Sequence, residues 1–457
     1  MSVEIPFDIL LQVLEHLDYL DLYNLSLVNR TFNETATKLL YRTVILSPTQ
    51  SNTLNLRQKS QELNQLFISA CLPSNCSYVL ELRISGYLNT RSAPLNKFST
   101  VLCHAIQQWS NVQTIVLTPQ AYPQDLMENV LAALLNCAHL NHLTINSSCC
   151  DENCVPILTR LTALTSLTIE NPTRVMLQAL PEWLGRLQPT LTKLILKDNC
   201  GSVTPGVLKS FIPSLQQIET FGLGLSYSLT NDDVFKFLER LPALRSLDLR
   251  YYLQIRPTTV PIRLLSLRYF TVRYISVETR SERDHLCKWI RTVTRNSPLT
   301  TLTLINEYQW RRAAALSFST LVECLSRRHS NTLISVNLGS ALVGEPALKC
   351  LFESCRNLET VELGTRPEII RKLPSLVGSH SRVRSTTFRT PLTRPSKTNL
   401  DGDTIVQVMK TWPDHSLRHL SINDSSWEVS WKYRTEAGEC EFVVNSKSMP
   451  GHRTAVV

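Results

Sequence analysis

The chain has 457 residues and a formal net charge of +9, long enough for two or three compact domains or one extended repeat array. Hydrophobic residues make up 43% and charged residues 19%, the balance of an ordinary globular chain and not of a disordered one. No apolar run approaches the roughly 20 residues a membrane span needs, and thirteen cysteines without paired spacing read as reduced thiols of the cytoplasm or nucleus.

The chain opens MSVEIPFDIL, acidic where a signal peptide is basic, so secretion is not expected. Pro6 stands where a helix can begin, because its missing N–H would be unpaired there, and Asp8 suits the positive end of the helix dipole. Ile9, Leu10, Val13, Leu14 and Leu17 recur at helical spacing. Asp21 is placed to cap a second short helix carrying Leu22, Leu25 and Val28. Asn29 is placed to cap a third, with Phe32, Ala36, Leu39 and Leu40 on one side. Three helices this short bury too little surface to be stable alone, so a partner is expected.

The run Ile5-Pro6-x-Asp8-Ile9-Leu10, then Leu17, Asp21-Leu22, Leu25, Val28-Asn29-Arg30 and Phe32, resembles an F-box. Asn29 stands where that family often has Cys, and Phe32 where it often has Trp. The resemblance implies docking on the Skp-type adaptor of cullin–RING ubiquitin ligases. Ile5, Pro6, Ile9, Leu10, Val13, Leu14, Leu17, Leu22, Leu25 and Val28 would then divide between a small core and the adaptor groove.

Behind this stretch the pattern apolar-x-x-apolar-x-apolar recurs to the end of the chain. It appears as VLELRI at 79–84, VQTIVL at 112–117, LNHLTI at 140–145, LTSLTI at 164–169, LTKLIL at 191–196 and IETFGL at 218–223. It continues as LRSLDL at 244–249, LRYFTV at 267–272, LTTLTL at 299–304, LISVNL at 333–338, LETVEL at 358–363, VRSTTF at 383–388 and LRHLSI at 417–422. Twelve intervals between residues 79 and 417 give a mean period of about 28 residues, within the leucine-rich-repeat range. Intervals of 23 to 34 residues place the insertions in the outer segments. An earlier strand is expected at 41–46 (YRTVIL). Helical stretches lie between the strands, among them FSTVLCHAIQQW at 98–109, a segment capped by Thr230, and the segments 281–295 and 316–325. Cys137 and Cys355, each just ahead of a strand, resemble the cysteine-containing subclass of these repeats, where they act as small buried hydrophobes.

After Ile422 the alternation of Trp427, Val429, Trp431 and Tyr433, a turn at Ala437-Gly438 and Phe442-Val443-Val444 predict a β-hairpin closing the array. From Asn445 onward a flexible tail is expected.

Cys137, His139, His142, Cys149, Cys150 and Cys154 are zinc-type ligands, but their spacing matches no zinc motif, and no metal is expected. Phosphate loops, G-x-S-x-G elbows and H-E-x-x-H helices are absent, so neither an enzyme nor a cofactor is expected. The segment 240–334 holds 16 Lys and Arg against 6 Asp and Glu, dispersed over what read as helix surfaces rather than packed in a dense run.

These observations describe an α/β chain: an F-box over 1–46, a leucine-rich-repeat solenoid with a concave parallel sheet and outer helices over 47–425, and a hairpin cap with a tail over 426–457. The resemblance implies a non-catalytic substrate-recognition adaptor of an SCF-type ligase. The rival is a ligase-independent scaffold, or a nucleic-acid-associated protein using the basic middle repeats. On the concave face Arg250 and Arg273 fall in one register, with Tyr251, Tyr269 and Tyr274 close by in sequence. Paired arginines can grip a carboxylate or phosphate, so the expected target segment is acidic or phosphorylated.

Overall fold

The structure is a computed structural model that describes residues 6–46, 65–87, 95–120, 124–252, 262–275, 277–307, 316–378, 381–390, 402–434 and 439–448. The chain falls into two compact units, Met1–Leu229 and Thr230–Val457.

The first unit begins with three helices, α1 (Phe7–Leu14), α2 (Tyr19–Ser26) and α3 (Arg30–Leu40). Asn29 caps α3 by accepting the Phe32 N–H at 3.0 Å, as its position predicts. Asp21 does not cap α2. Asp18 does, accepting the Asp21 N–H at 2.9 Å, so α2 starts earlier and ends at Ser26, leaving Val28 beyond it.

Seven strands follow: β1 (Thr43–Leu46), β2 (Glu81–Tyr87), β3 (Thr114–Gln120), β4 (His142–Asn146), β5 (Ser166–Glu170), β6 (Lys193–Asn199) and β7 (Thr220–Leu225). They lie side by side in sequence order, each pair parallel. The register stacks equivalent repeat positions, so Leu82, Ile115, Leu143, Leu167, Leu194 and Phe221 form one column. All six are fully buried, because alternate residues of a strand face opposite sides and one side is covered. Two tryptophans tie neighbouring repeats together: Trp109 Nε1 donates to the Ala70 carbonyl at 3.0 Å, and Trp183 Nε1 to the Leu161 carbonyl at 2.8 Å. Near the end of β6, where its register with β7 shifts, a Cβ on Gly224 would stand 2.3 Å from the Asp198 carbonyl oxygen. Only glycine allows that approach.

The second unit repeats the plan with β8 (Ser246–Tyr251), β9 (Tyr269–Tyr274), β10 (Thr301–Asn306), β11 (Ser335–Leu342), β12 (Thr360–Gly364), β13 (Ser385–Arg389) and β14 (His419–Ile422). These are parallel and in sequence order. Thr386 takes the aliphatic position of β13 and is fully buried, its hydroxyl without a hydrogen-bond partner among the described residues. Capping boxes start two helices, Thr230 with Asp233 ahead of Asn231–Leu238 and Thr279 with Glu282 ahead of Arg280–Val293. Trp289 on the latter donates to Asn231 Oδ1 at 3.0 Å and packs against Phe235, Tyr251 and Phe270.

The array ends in an antiparallel hairpin, β15 (Ser425–Arg434) and β16 (Glu439–Ser448), with β15 paired to β14. The strand β16 carries on through Asn445, where the sequence predicts a flexible tail, because ladder pairing with 425–428 extends the hairpin by four residues. The rest of that tail, 449–457, lies outside the described residues, as does Ala437-Gly438.

Candidate functional site

A domain of three short helices has little interior, and this one spends its apolar residues on two sides. Leu10, Leu14, Leu22 and Ala36 form the core, with Leu17, Leu25, Phe32, Leu39 and Leu40 packed half-buried around them. The flank of α1 beside that core is also apolar, with Ile9 50% and Val13 56% exposed, while Asp8, Gln12 and Glu15 take the side facing away from the core. Tyr19, Leu20, Tyr23, Leu27 and Val28 extend this exposure along α2 and past its end. An apolar flank left outside the core requires cover of its own, and exposed apolar patches of this kind mark interaction surfaces.

The frame under the patch is fixed locally. The Pro6 carbonyl accepts the Leu10 N–H at 3.0 Å, starting α1, and Pro6 itself is exposed. Arg42 Nη1 reaches Glu15 Oε1 at 3.0 Å, and the Lys38 ammonium lies 4.4 Å from the centroid of the Phe7 ring. Ile5 lies outside the described residues. Of the other nine candidate adaptor-binding residues, Leu10, Leu14 and Leu22 are interior, Leu17 and Leu25 are intermediate, and Pro6, Ile9, Val13 and Val28 face outward. Tyr19, Leu20, Tyr23 and Leu27 were absent from the sequence candidates. Leu27 and Val28 follow the last turn of α2, where helical periodicity gives no guide to facing.

The candidate cluster on the second unit separates by side. Arg250 and Arg273 are Cα partners across β8 and β9, as the register predicts. Both are already ion-paired. Arg273 grips Asp248 with Nε at 3.0 Å and Nη2 at 2.9 Å, and Arg250 Nη2 meets Glu307 Oε2 at 2.7 Å. Tyr251 and Tyr274 point into the core, one residue further along each strand than the arginines. Desolvation pushes both phenols up to about 12, and the Tyr251 ring lies 5.3 Å from that of Trp289. Tyr269 alone of the three tyrosines is exposed.

The cysteine and histidine cluster is also divided. Cys149, Cys150 and Cys154 are buried, whereas His139 and His142 are exposed. Burial first, then the neighbouring Cys154 and Asp151, push the Cys150 thiol up to about 12, the opposite of a metal-binding thiolate. Among the described residues no three His, Cys, Asp or Glu side chains gather closely enough to hold a metal ion. No helix among them is long and apolar enough to cross a membrane.

No curated protein matches the chain. Among solved structures, a chain of the yeast Rad7–Elc1 complex is similar over 87% of this chain and 89% of its own, at 14% identity and a TM-score of 0.44. A chain of a TLR13–ssRNA13 complex is similar over 77% of this chain and 44% of its own, at 14% identity and a TM-score of 0.35. The F-box-like family matches residues 3–47, the stretch that forms the three helices and their exposed apolar side. Behind this F-box-like stretch the chain carries parallel strand–helix repeats of leucine-rich-repeat type.

Proposed function

We propose that the chain is the substrate-recognition subunit of an SCF-type cullin–RING ubiquitin ligase. The F-box-like domain docks on a Skp-type adaptor, and the repeat arrays hold a target protein. The observation that carries this reading is the exposed apolar side of α1 and α2, with Ile9, Val13, Leu20 and Leu27 outward on a domain too small to need them for its own core. The chain performs no bond chemistry in this role. It raises the effective concentration of a target beside the ubiquitin-charged enzyme.

The rival use of the segment 240–334 for nucleic acid loses support from its internal ion pairs. Arg250, Arg273, Arg283 and Arg327 each face a carboxylate within 4 Å, which cancels charge that phosphates would need. The test is mixing of the purified full chain with a Skp-type adaptor, followed by size-exclusion chromatography and addition of a cullin–RING scaffold. A stoichiometric complex that recruits the scaffold is the expected result. Separate elution of a folded chain and a folded adaptor would refute the assignment.

A further inference from the structure

The strand β16 ends the sheet of the second unit. It is ten residues long and pairs with β15 along its whole length, from Glu439 opposite Arg434 to Ser448 opposite Ser425. Among the described residues no strand pairs with its other edge. An edge of this length presents a row of unpaired N–H and C=O groups, which chains ordinarily blunt with a bulge or a proline. The strand reads ECEFVVNSKS, without proline, and its ladder has no shift of register. Val443 and Val444, at its middle, are only half-buried.

Which backbone groups point to the open edge follows from the ladder. The Val429 N–H donates to the Arg418 carbonyl at 3.0 Å, so Val429 turns its backbone groups towards β14. Successive residues of an antiparallel strand turn theirs to opposite neighbours. Glu428 and Ser430 therefore face β16, where they stand opposite Asn445 and Val443. On β16 the set bonded to β15 is then Glu439, Glu441, Val443, Asn445 and Lys447. Cys440, Phe442, Val444, Ser446 and Ser448 offer their N–H and C=O groups to the open edge.

A strand that meets a copy of itself antiparallel has to match outward residues with outward residues. A pairing centred on Val444 does this for the whole set, with Cys440 opposite Ser448, Phe442 opposite Ser446 and Val444 opposite Val444. It closes about ten hydrogen bonds between the two chains. The intervening residues form the closer, non-hydrogen-bonded pairs, Val443 opposite Asn445 and Glu441 opposite Lys447. The two-fold axis repeats this acid–base pair, and opposite charges facing each other across a ladder stabilise it. Moving the centre to Val443 drops Ser448 from the ladder and leaves Glu441 opposite Asn445.

We propose that β16 is a self-association edge, through which two copies of the chain join antiparallel about Val444 and continue one sheet into the other. Such a contact uses the same patch on both copies and closes on itself, so assembly stops at two. An extended segment of another protein would meet the same backbone groups; the placing of Glu441 and Lys447 at equal distances from Val444 is what selects a second copy. The pairing uses no residue of the F-box-like domain and is measured without an adaptor.

The experiment follows the full chain by sedimentation velocity over a wide range of concentration, and a reversible monomer–dimer equilibrium is expected. Val444→Pro removes an outward N–H that the β15 ladder does not use, at a place where edge strands accept proline. It should weaken the dimer roughly tenfold or more with an unchanged circular dichroism melt. Glu441→Lys sets like charges opposite each other and should also weaken it. Adding Lys447→Glu to that chain reverses the pair and should restore the dimer, which a loss through misfolding would not do. Failure of the double variant to restore the dimer, or a dimer that Val444→Pro and Glu441→Lys both leave intact, overturns the pairing about Val444. A monomer at every concentration overturns self-association and leaves the edge to a strand from a different protein.

Discussion

The helix α1 places two jobs on adjoining flanks, Leu10 and Leu14 inward and Ile9 and Val13 outward, which allows them to be separated by mutation. Leu14 is 2% exposed, and truncating such a leucine to alanine costs about 2–5 kcal/mol, a large share of the stability of a small domain. Ile9 and Val13 are 50% and 56% exposed, so about half of each side chain remains for a partner to cover. Full burial of such a side chain is worth about 1.5–3 kcal/mol. The uncovered halves therefore amount to about 1 kcal/mol each, or roughly 2 kcal/mol together, close to 30-fold in affinity. Ile9→Ala with Val13→Ala should weaken capture of a Skp-type adaptor by about that factor while shifting the melting temperature little. Leu14→Ala should lower the first melting transition and lose the adaptor as a consequence. The assays are biolayer interferometry against immobilised adaptor and a thermal melt by far-ultraviolet circular dichroism. Wild-type affinity in the surface double variant, or a melting loss in it equal to that of Leu14→Ala, would refute the division of the helix into two sides.

Four further outcomes follow from named contacts. Thr279→Ala removes the cap of Arg280–Val293 and should cost about 1 kcal/mol, read from the urea midpoint. Hydrogen bonds from the Thr279 and Glu278 N–H groups hold the Glu282 carboxyl below its ordinary value of 4.5; this stabilisation is present above pH 4.5 and is lost as pH falls through the lowered folded value, so Glu282→Gln should flatten that acid limb. Burial, and then Arg328, hold the His329 imidazole below 6.5. It stays neutral in the fold while the unfolded chain takes up a proton, so stability should fall as pH drops below 6.5 towards the folded value, with a smaller fall in His329→Gln by urea titration. Gly224→Ala forces a Cβ to 2.3 Å from the Asp198 carbonyl oxygen and should destabilise by about 1–3 kcal/mol, seen as a lowered melting temperature.

The repeat strands were legible because alternation has a period of two and the third apolar residue marks the register. Following that alternation one residue beyond Arg250 and Arg273 would have sent Tyr251 and Tyr274 inward, in line with Phe270 and Val272. Closeness along the chain suggested otherwise. The carboxylates that occupy the two arginines were not legible, since Asp248 and Glu307 come from other strands or beyond them and are found only through the register. On α2, Asp21 stands directly ahead of Leu22 and so reads as the cap, whereas the helix starts earlier, at Tyr19. Asp18 prevails because its carboxylate reaches the N–H three residues on, which also places Leu22 in the core.

The two indole clamps of the first unit have a bearing on how it comes apart. In a linear stack, stability is a sum of each repeat's own free energy and its coupling to its neighbours. An indole bonded to a carbonyl of the preceding repeat strengthens a coupling without adding to either repeat alone. Trp109 fastens the segment around Ala70 to its successor, and Trp183 does the same for the segment around Leu161. Between these two blocks lies the stretch from Gln124–Leu134 to Cys154–Leu158, fastened to the preceding repeat not by an indole but by the buried Asn146 amide, whose Nδ2 donates to the Pro119 carbonyl at 2.6 Å. Without that amide, in Asn146→Ala, the unit should part there under denaturant or force into two cooperative blocks, and amide exchange along 124–158 would run ahead of both.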